Sequence, residues 1–264
     1  MRFKNKIVII MGAGDGIGRK AGELFSREGA KVVRVDINKD AFSDLGNGSS
    51  SKDNDLKIIA DVMDETQVKG VMTKTLESFG GIDVLINAVG GSTVIDNSWA
   101  ATDDLTADDW DNMMRFNLRG VFLCTREAIT HMKKQRKGKI INLASVAGRG
   151  VDDFSSSAYA ASKAGVIIFT KKVAAEVGPY GITCNAVAPG LTLTDRMQRR
   201  WKTATEKQKE SVLKSIPLGR LSSVDDQANV IAFLASDDAS YITGITIDVN
   251  GGKFCAQLVA MPTL

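Results

Sequence analysis

Apolar positions along this chain keep two rhythms in alternation. Short unbroken runs rich in Ile and Val, such as "KIVIIM" (6–11) and "AKVVRVD" (30–36), give way to longer stretches where apolar residues recur every three or four positions. A continuous β-branched run suits a strand buried on both faces, and the wider spacing suits a helix with one packed side. Strands are therefore expected at Lys6–Met11, Ala30–Asp36, Leu56–Ala60 and Asp83–Asn87, and in "GKIINLAS" (138–145), "GITCNAVAPG" (181–190) and "GITIDVNGG" (244–252). Helices are expected over 64–79, 106–133, 157–177 and 224–235, after an earlier one with Ile17, Ala21, Leu24 and Phe25 on one face. Strand and helix in regular turn predict an α/β protein: a Rossmann-type doubly wound parallel sheet flanked by helices on both faces. No linker or repeat breaks the pattern, so residues 1–264 read as a single domain and "DLGNGSSSKDND" (44–55) as a polar surface loop.

Composition narrows the chemistry. With 44% apolar and 25% charged residues the chain is ordinary for a globular protein. A net charge of +3 is too small to argue for nucleic acid. The densest basic run, "HMKKQRKGK" (131–139), reads as a solvated helix end. Cys124, Cys184 and Cys255 are far apart, odd in number and without CxxC spacing, which suits a reducing compartment better than a disulfide framework. The single histidine, His131, with no cysteine cluster, cannot assemble a zinc site, and a Ser-His-Asp triad is not expected; no metal is. No apolar run reaches ~18 residues, and "MRFKNKIVII" leads straight into a strand, so neither membrane span nor signal peptide is read. A cytoplasmic protein is expected.

The first strand runs into "MGAGDGIG" (11–18), with Gly12, Gly14, Gly16 and Gly18, and then into a helix. Such a turn lets backbone approach a pyrophosphate, whose charge is met by amides at the helix N-terminus. The next strand closes on Asp36, placed where a carboxylate accepts both hydroxyls of an adenosine ribose. Asp36 would repel a 2′-phosphate, Asp15 adds a second negative charge in the turn, and no arginine follows Asp36. NAD is expected rather than NADP.

Further along come "DVMD" (61–64), "NAVG" (87–90), "FNLRG" (116–120), "INLAS" (141–145), "YAASK" (159–163) and "APGLTLT" (188–194). In this order and approximate spacing, the chain resembles the short-chain dehydrogenase/reductase family in its compact single-domain form, from Lys6 to Gly252. Met11 replaces the family's usual Thr, and Ala88 and Val89 replace part of its N-N-A-G. The resemblance implies a nicotinamide cofactor held by Gly12, Gly14, Asp15, Gly16, Ile17 and Gly18 of the turn. It extends to Asp36, Asp61, Val62, Asn87, Ala88 and Gly90, then to Pro189, Gly190, Thr192 and Thr194. It also implies catalysis by Asn117, Ser145, Tyr159 and Lys163, with Tyr159 and Lys163 touching cofactor as well.

Hydride transfer needs a partner that moves the alcohol proton. Tyr titrates near ~10, and bringing it to ~7 takes about 4 kcal/mol of differential stabilisation. Lys163 lies one helical turn from Tyr159, and the oxidised nicotinamide supplies a second cation. The resemblance has Ser145 orient the substrate oxygen and Asn117 hold water on a proton path through Lys163. For Thr192 and Thr194, capping of the next helix stands beside contact with the nicotinamide carboxamide.

The segment after that turn, about 191–216, is expected to cover substrate. Arg196, Arg199, Arg200 and Lys202 surround Trp201 there, either as a solvated lid or with one arginine pairing an anionic substrate group; Arg149 is a further candidate. Residues 90–110, with Trp99 and several acids, are expected at the pocket rim, and the apolar tail "GGKFCAQLVAMPTL" against a partner subunit. The expected function is an NAD(H)-dependent oxidoreductase acting on a secondary alcohol or ketone, assembled as a homotetramer. An NADP(H)-dependent carbonyl reductase of the same fold, and a non-catalytic NAD-binding sensor, are the alternatives.

Overall fold

The apolar runs form one seven-stranded sheet, all of it parallel. In the computed structural model, which describes residues 1–43, 54–150 and 155–253, the strands are β1 (Ile7–Met11), β2 (Lys31–Asp36), β3 (Asp55–Ile59), β4 (Val84–Asn87), β5 (Gly138–Leu143), β6 (Ile182–Pro189) and β7 (Thr246–Val249). Their order across the sheet is β3-β2-β1-β4-β5-β6-β7. The chain thus winds outward from β1 in one direction and then, from β4, in the other. This reversal opens a crevice at the carboxyl edge between β1 and β4. Met11 pairs with Asn87, and Asn87 with Asn142, so the ends of three central strands lie side by side at that edge.

Two cores explain why the strands carry no polar alternation. One face buries Val8, Ile10, Val84, Ile86 and Ile141 beneath α1 (Gly16–Arg27) and α8 (Val224–Ala235). The other buries Ile9, Met11, Leu85 and Ile140 beneath α2 (Glu65–Phe79), α4 (Gly120–Gln135) and α5 (Ser157–Val177). Side chains of the central strands β1 and β4 therefore meet apolar neighbours whichever way they point, while the edge strands β3 and β7 are only partly covered. Among the described residues no helix is long and apolar enough to cross a membrane.

Helix boundaries follow local chemistry. Asp64 caps α2 by accepting from the amides of Thr66 and Gln67, and Ser223 and Asp226 form a reciprocal capping box on α8. The expected single helix over 106–133 is instead α3 (Ala107–Met114), a π turn over Arg115–Arg119, and α4. Its cause is tertiary. The buried Asn117 side chain is drawn to the backbone of Gly91, and the helix widens by a residue to let it reach. The basic run after His131 differs from a purely solvated helix end. Lys133 and Arg136 lie over the Tyr180 ring, 4.6 and 5.4 Å from its centroid, where the cations meet the π face. The segment expected to cover substrate folds into α6 (Asp195–Thr203) and α7 (Glu206–Lys214). Most of the predicted polar loop, 44–53, and of the apolar tail, 254–264, lies outside the described residues.

Candidate active site

A cavity of about 1210 Å³ follows the carboxyl edge of the sheet. Of the site residues singled out from sequence, all but Gly14, Asn87, Asn117 and Arg149 border it. Three of these four act from behind the wall, and the fourth points elsewhere.

At one end the β1–α1 turn is drawn tight. A β-carbon on Gly18 would lie 2.0 Å from the Gly12 carbonyl oxygen, so the helix enters as close to β1 as backbone allows. Asp15 caps α1, accepting from the Gly16 amide at 2.6 Å. Gly14 donates its amide to Asp36 Oδ2 at 2.9 Å, and Asn38 donates to Asp36 Oδ1 at 3.0 Å. Asp36 is thus held by both oxygens, at the cavity wall, with Ile37 beside it. Asp61 accepts from the Met63 amide at 2.8 Å and brings Val62 to the same wall. A tight glycine turn, an open helix N-terminus and a fixed carboxylate at the end of β2 fit the phosphates and ribose of a dinucleotide.

The middle of the cavity is built on β4, β5 and α5. Asn87 is buried behind it, donating to Thr125 Oγ1 at 3.0 Å and to Asn142 Oδ1 at 2.8 Å, and Asn142 donates to Thr170 Oγ1 at 2.9 Å. This chain of amides ties β4, β5, α4 and α5 together beneath the site. Ser145 follows β5 and accepts from the Ala147 amide at 3.2 Å, so it is a turn cap as well as a cavity residue. Tyr159 sits in the first turn of α5. Its amide donates to the capping Ser156 at 3.3 Å and its carbonyl accepts from Ser162 Oγ at 2.7 Å.

One turn on, Lys163 is buried, and its Nζ donates to the Leu143 carbonyl at 2.9 Å. The ammonium lies 5.9 Å from the centroid of the Tyr159 ring. Burial pushes its pKa down to about 8, leaving it mostly charged at neutral pH. Asn117 clasps one residue: its Oδ1 accepts from the Gly91 amide at 2.9 Å and its Nδ2 donates to the Gly91 carbonyl at 3.0 Å. Both Asn117 Oδ1 and Lys163 Nζ crowd the position a side chain at Gly90 would take, 2.8 and 2.7 Å away. The amide and the amine therefore converge on the loop that follows β4.

The far end is closed by α6. Thr194 caps it, accepting from the Met197 amide at 3.3 Å, while lining the cavity. Thr192 donates instead to the Gly190 carbonyl at 3.0 Å and accepts from Gln227 at 3.3 Å. Arg196 reaches across the cleft to Thr93 Oγ1 at 2.8 Å, and the Arg200 guanidinium stacks on the Trp99 ring at 3.6 Å. Trp201 lines the cavity too. Arg149, a substrate candidate from sequence, turns away: its Nε and NH2 donate to the Asp248 carboxylate at 3.0 and 3.3 Å. Asp248 is 99 residues distant in the chain, so nothing near Arg149 announced its partner. Gly91 and Thr93 fall within the expected rim, 90–110, but were not singled out there, although the doubled glycine closing "NAVGG" marks a backbone approached from two sides.

A family model described as enoyl-(acyl carrier protein) reductase matches residues 12–253. The chain is 38% identical over 253 residues to the 3-oxoacyl-(acyl-carrier-protein) reductase FabG of Thermotoga maritima, covering 96% of this chain and 99% of that protein. It is 36% identical over 263 residues to the levodione reductase of Leifsonia aquatica, covering 97% and 96%. The crystal structure of a levodione reductase superposes with a TM-score of 0.85 at 34% identity, covering 97% of this chain and 100% of that one. A Tyr-to-Phe variant of ElxO with NADPH bound superposes at 0.87 with 29% identity, covering 95% and 99%.

Proposed function

The chain belongs to the short-chain dehydrogenase/reductase family of oxidoreductases, and from that premise we propose that it moves a hydride between NAD(H) and a secondary alcohol or ketone, with Tyr159 as general base or acid. The observation that carries this reading is the buried ammonium of Lys163, 5.9 Å from the Tyr159 ring. A positive charge held out of water beside a phenol favours the ionised phenolate. The nicotinamide, when bound, supplies the hydride acceptor and a second positive charge.

In this reading Ser145 hydrogen-bonds the substrate oxygen and Tyr159 takes or returns its proton. Lys163, held on the Leu143 carbonyl, holds charge beside the phenol and also meets the nicotinamide ribose. Asn117 acts as a positioning residue through Gly91, within a π turn of the kind often found at functional sites, and holds water on the proton path to Lys163. Gly12, Gly16, Ile17 and Gly18 receive the pyrophosphate, and Asp61 and Val62 the adenine. Ala88, Gly90, Pro189, Gly190, Thr192 and Thr194 border the nicotinamide end, with Asn87 and Gly14 supporting from behind. Residues 191–216 cover the substrate, and Trp201 contributes to that cover.

NAD is favoured by Asp36, whose carboxylate is fixed by two amides where a 2′-phosphate would enter. NADP is the second reading, and the NADPH-bound relative in the same fold supports it. The chain is further proposed to work in the cytoplasm as a homotetramer. Buried free Cys124 and Cys184 suit a reducing compartment.

The test is turnover of secondary alcohols and the matching ketones with NAD(H) and with NADP(H), in wild type and Tyr159→Phe. Activity favouring NAD and falling about 10²- to 10⁴-fold in the variant is expected. Tight NAD binding with no turnover on any pair would favour a sensor instead, and preference for NADP would refute the role given to Asp36.

A further inference from the structure

The charges around the cavity are sorted by sign. Its carboxylates, Asp15, Asp36 and Asp61, all belong to the turn and strand ends at the adenosine side. At the opposite side, α6 lines it with Arg196, Arg199 and Arg200. Among the described residues none of these three is paired with a carboxylate, whereas Arg2, Arg34, Arg126, Arg149 and Arg220 each are.

Two of the three are nonetheless held in place by neutral groups. Arg196 is bonded to Thr93, and Arg200 lies on the face of Trp99. Stacking uses the π face of a guanidinium and leaves its in-plane N–H donors for another partner. Burial, and then the neighbouring charge of Arg196, lower the pKa of Arg200, as expected where two guanidinium groups lie close together. Cations fixed by neutral partners at the mouth of a substrate cleft are arranged to receive an anion.

We infer that Arg196, Arg199 and Arg200 receive an anionic group of the substrate, a carboxylate or a phosphate ester, set apart from the carbonyl that reacts. This rests on the hydride-transfer reading and adds the substrate class to it. The arginines do no chemistry. They fix the far end of the substrate so that its carbonyl meets Ser145 and Tyr159.

Calorimetry on protein saturated with NAD tests this, because ketone and oxidised cofactor form a complex that cannot turn over. The probes are levulinate, its methyl ester, and acetol phosphate. At least one of the two anions should bind about 10- to 100-fold more tightly than the ester, with an advantage that shrinks as salt is raised. Levulinate ahead of acetol phosphate would identify a carboxylate, and the reverse a phosphate. Arg196→Gln with Arg200→Gln should bring the ratio close to one. Arg200→Lys, which keeps the charge but loses the fork, should retain part of it. Thermal melting verifies that each variant is folded. Equal affinities for acid and ester, no binding of any probe to NAD-saturated protein, or an advantage that survives the double substitution would overturn the inference while leaving the hydride reading intact. Failure of both NAD and NADP to bind would defeat the hydride reading, and this inference with it.

Discussion

Burying the Lys163 amine against the cavity wall sets a cost on the fold. An amine with a pKa of about 8 in the folded chain and 10.5 when free binds its proton more weakly folded than unfolded. Below pH 8 this difference costs about 3 kcal/mol of stability, and the cost fades as pH climbs from 8 towards 10.5. Lys163→Met should therefore be more stable than wild type at pH 7, by about 1 to 3 kcal/mol once the lost bond to the Leu143 carbonyl is deducted. The gap should narrow by pH 10, and urea unfolding at both pH values measures it. A gap that ignores pH would mean that the buried amine is not what sets it. The same substitution should remove turnover, because the phenol then loses the positive charge that Lys163 holds beside it.

Elements place these residues, and the turn after Ser145 packs closely on α5. A β-carbon at Gly148 would lie 2.6 Å from both the Ala164 nitrogen and the Lys163 carbonyl carbon. Gly148→Ala should push the turn that carries Ser145 away from the helix that carries Tyr159 and Lys163. A loss of about 1 to 3 kcal/mol and a clear fall in kcat are expected. Gly70→Ala in α2 is the control. It has open space, and should gain about 0.5 to 1 kcal/mol from helix propensity without touching activity. Thermal melts and steady-state rates separate the two.

It is at this scale that the sequence was most and least legible. The strands, the glycine turn and the helices could be read because parallel strands covered on both faces must be continuously apolar. The break at Arg115–Arg119 could not, because it answers to Gly91, a residue distant in sequence, rather than to local propensity. Arg149 and Arg200 look alike in sequence; one is claimed by Asp248 and the other by Trp99, and only the fold brings those partners near. Thr194 proved to be a cap and a cavity residue at once, so the alternatives weighed for it do not compete.

For the whole molecule, a fully parallel sheet gathers every strand's carboxyl end on one edge, and the cleft is lined at or just past the ends of β1 to β6. The outer sides of α4 and α5 are left with apolar residues in water: Phe122 is 41% exposed, Ile168 is 65% exposed, and Phe122 meets Phe169 edge-on at 6.3 Å. The proposed tetramer predicts that this surface is covered by another copy. Light scattering after gel filtration should give four times the chain mass for wild type and a smaller species for Ile168→Glu. A monomeric wild type would end the tetramer proposal. The Arg200–Trp99 stack has an optical consequence as well. Of the three indoles, Trp99 and Trp201 border the cleft, while Trp110 stands outside it on α3. Emission from the two inner indoles responds to whatever separates α6 from the rim, with the third as a steady background. Any separation of α6 from the rim could therefore be timed in the unlabelled protein, by its own light.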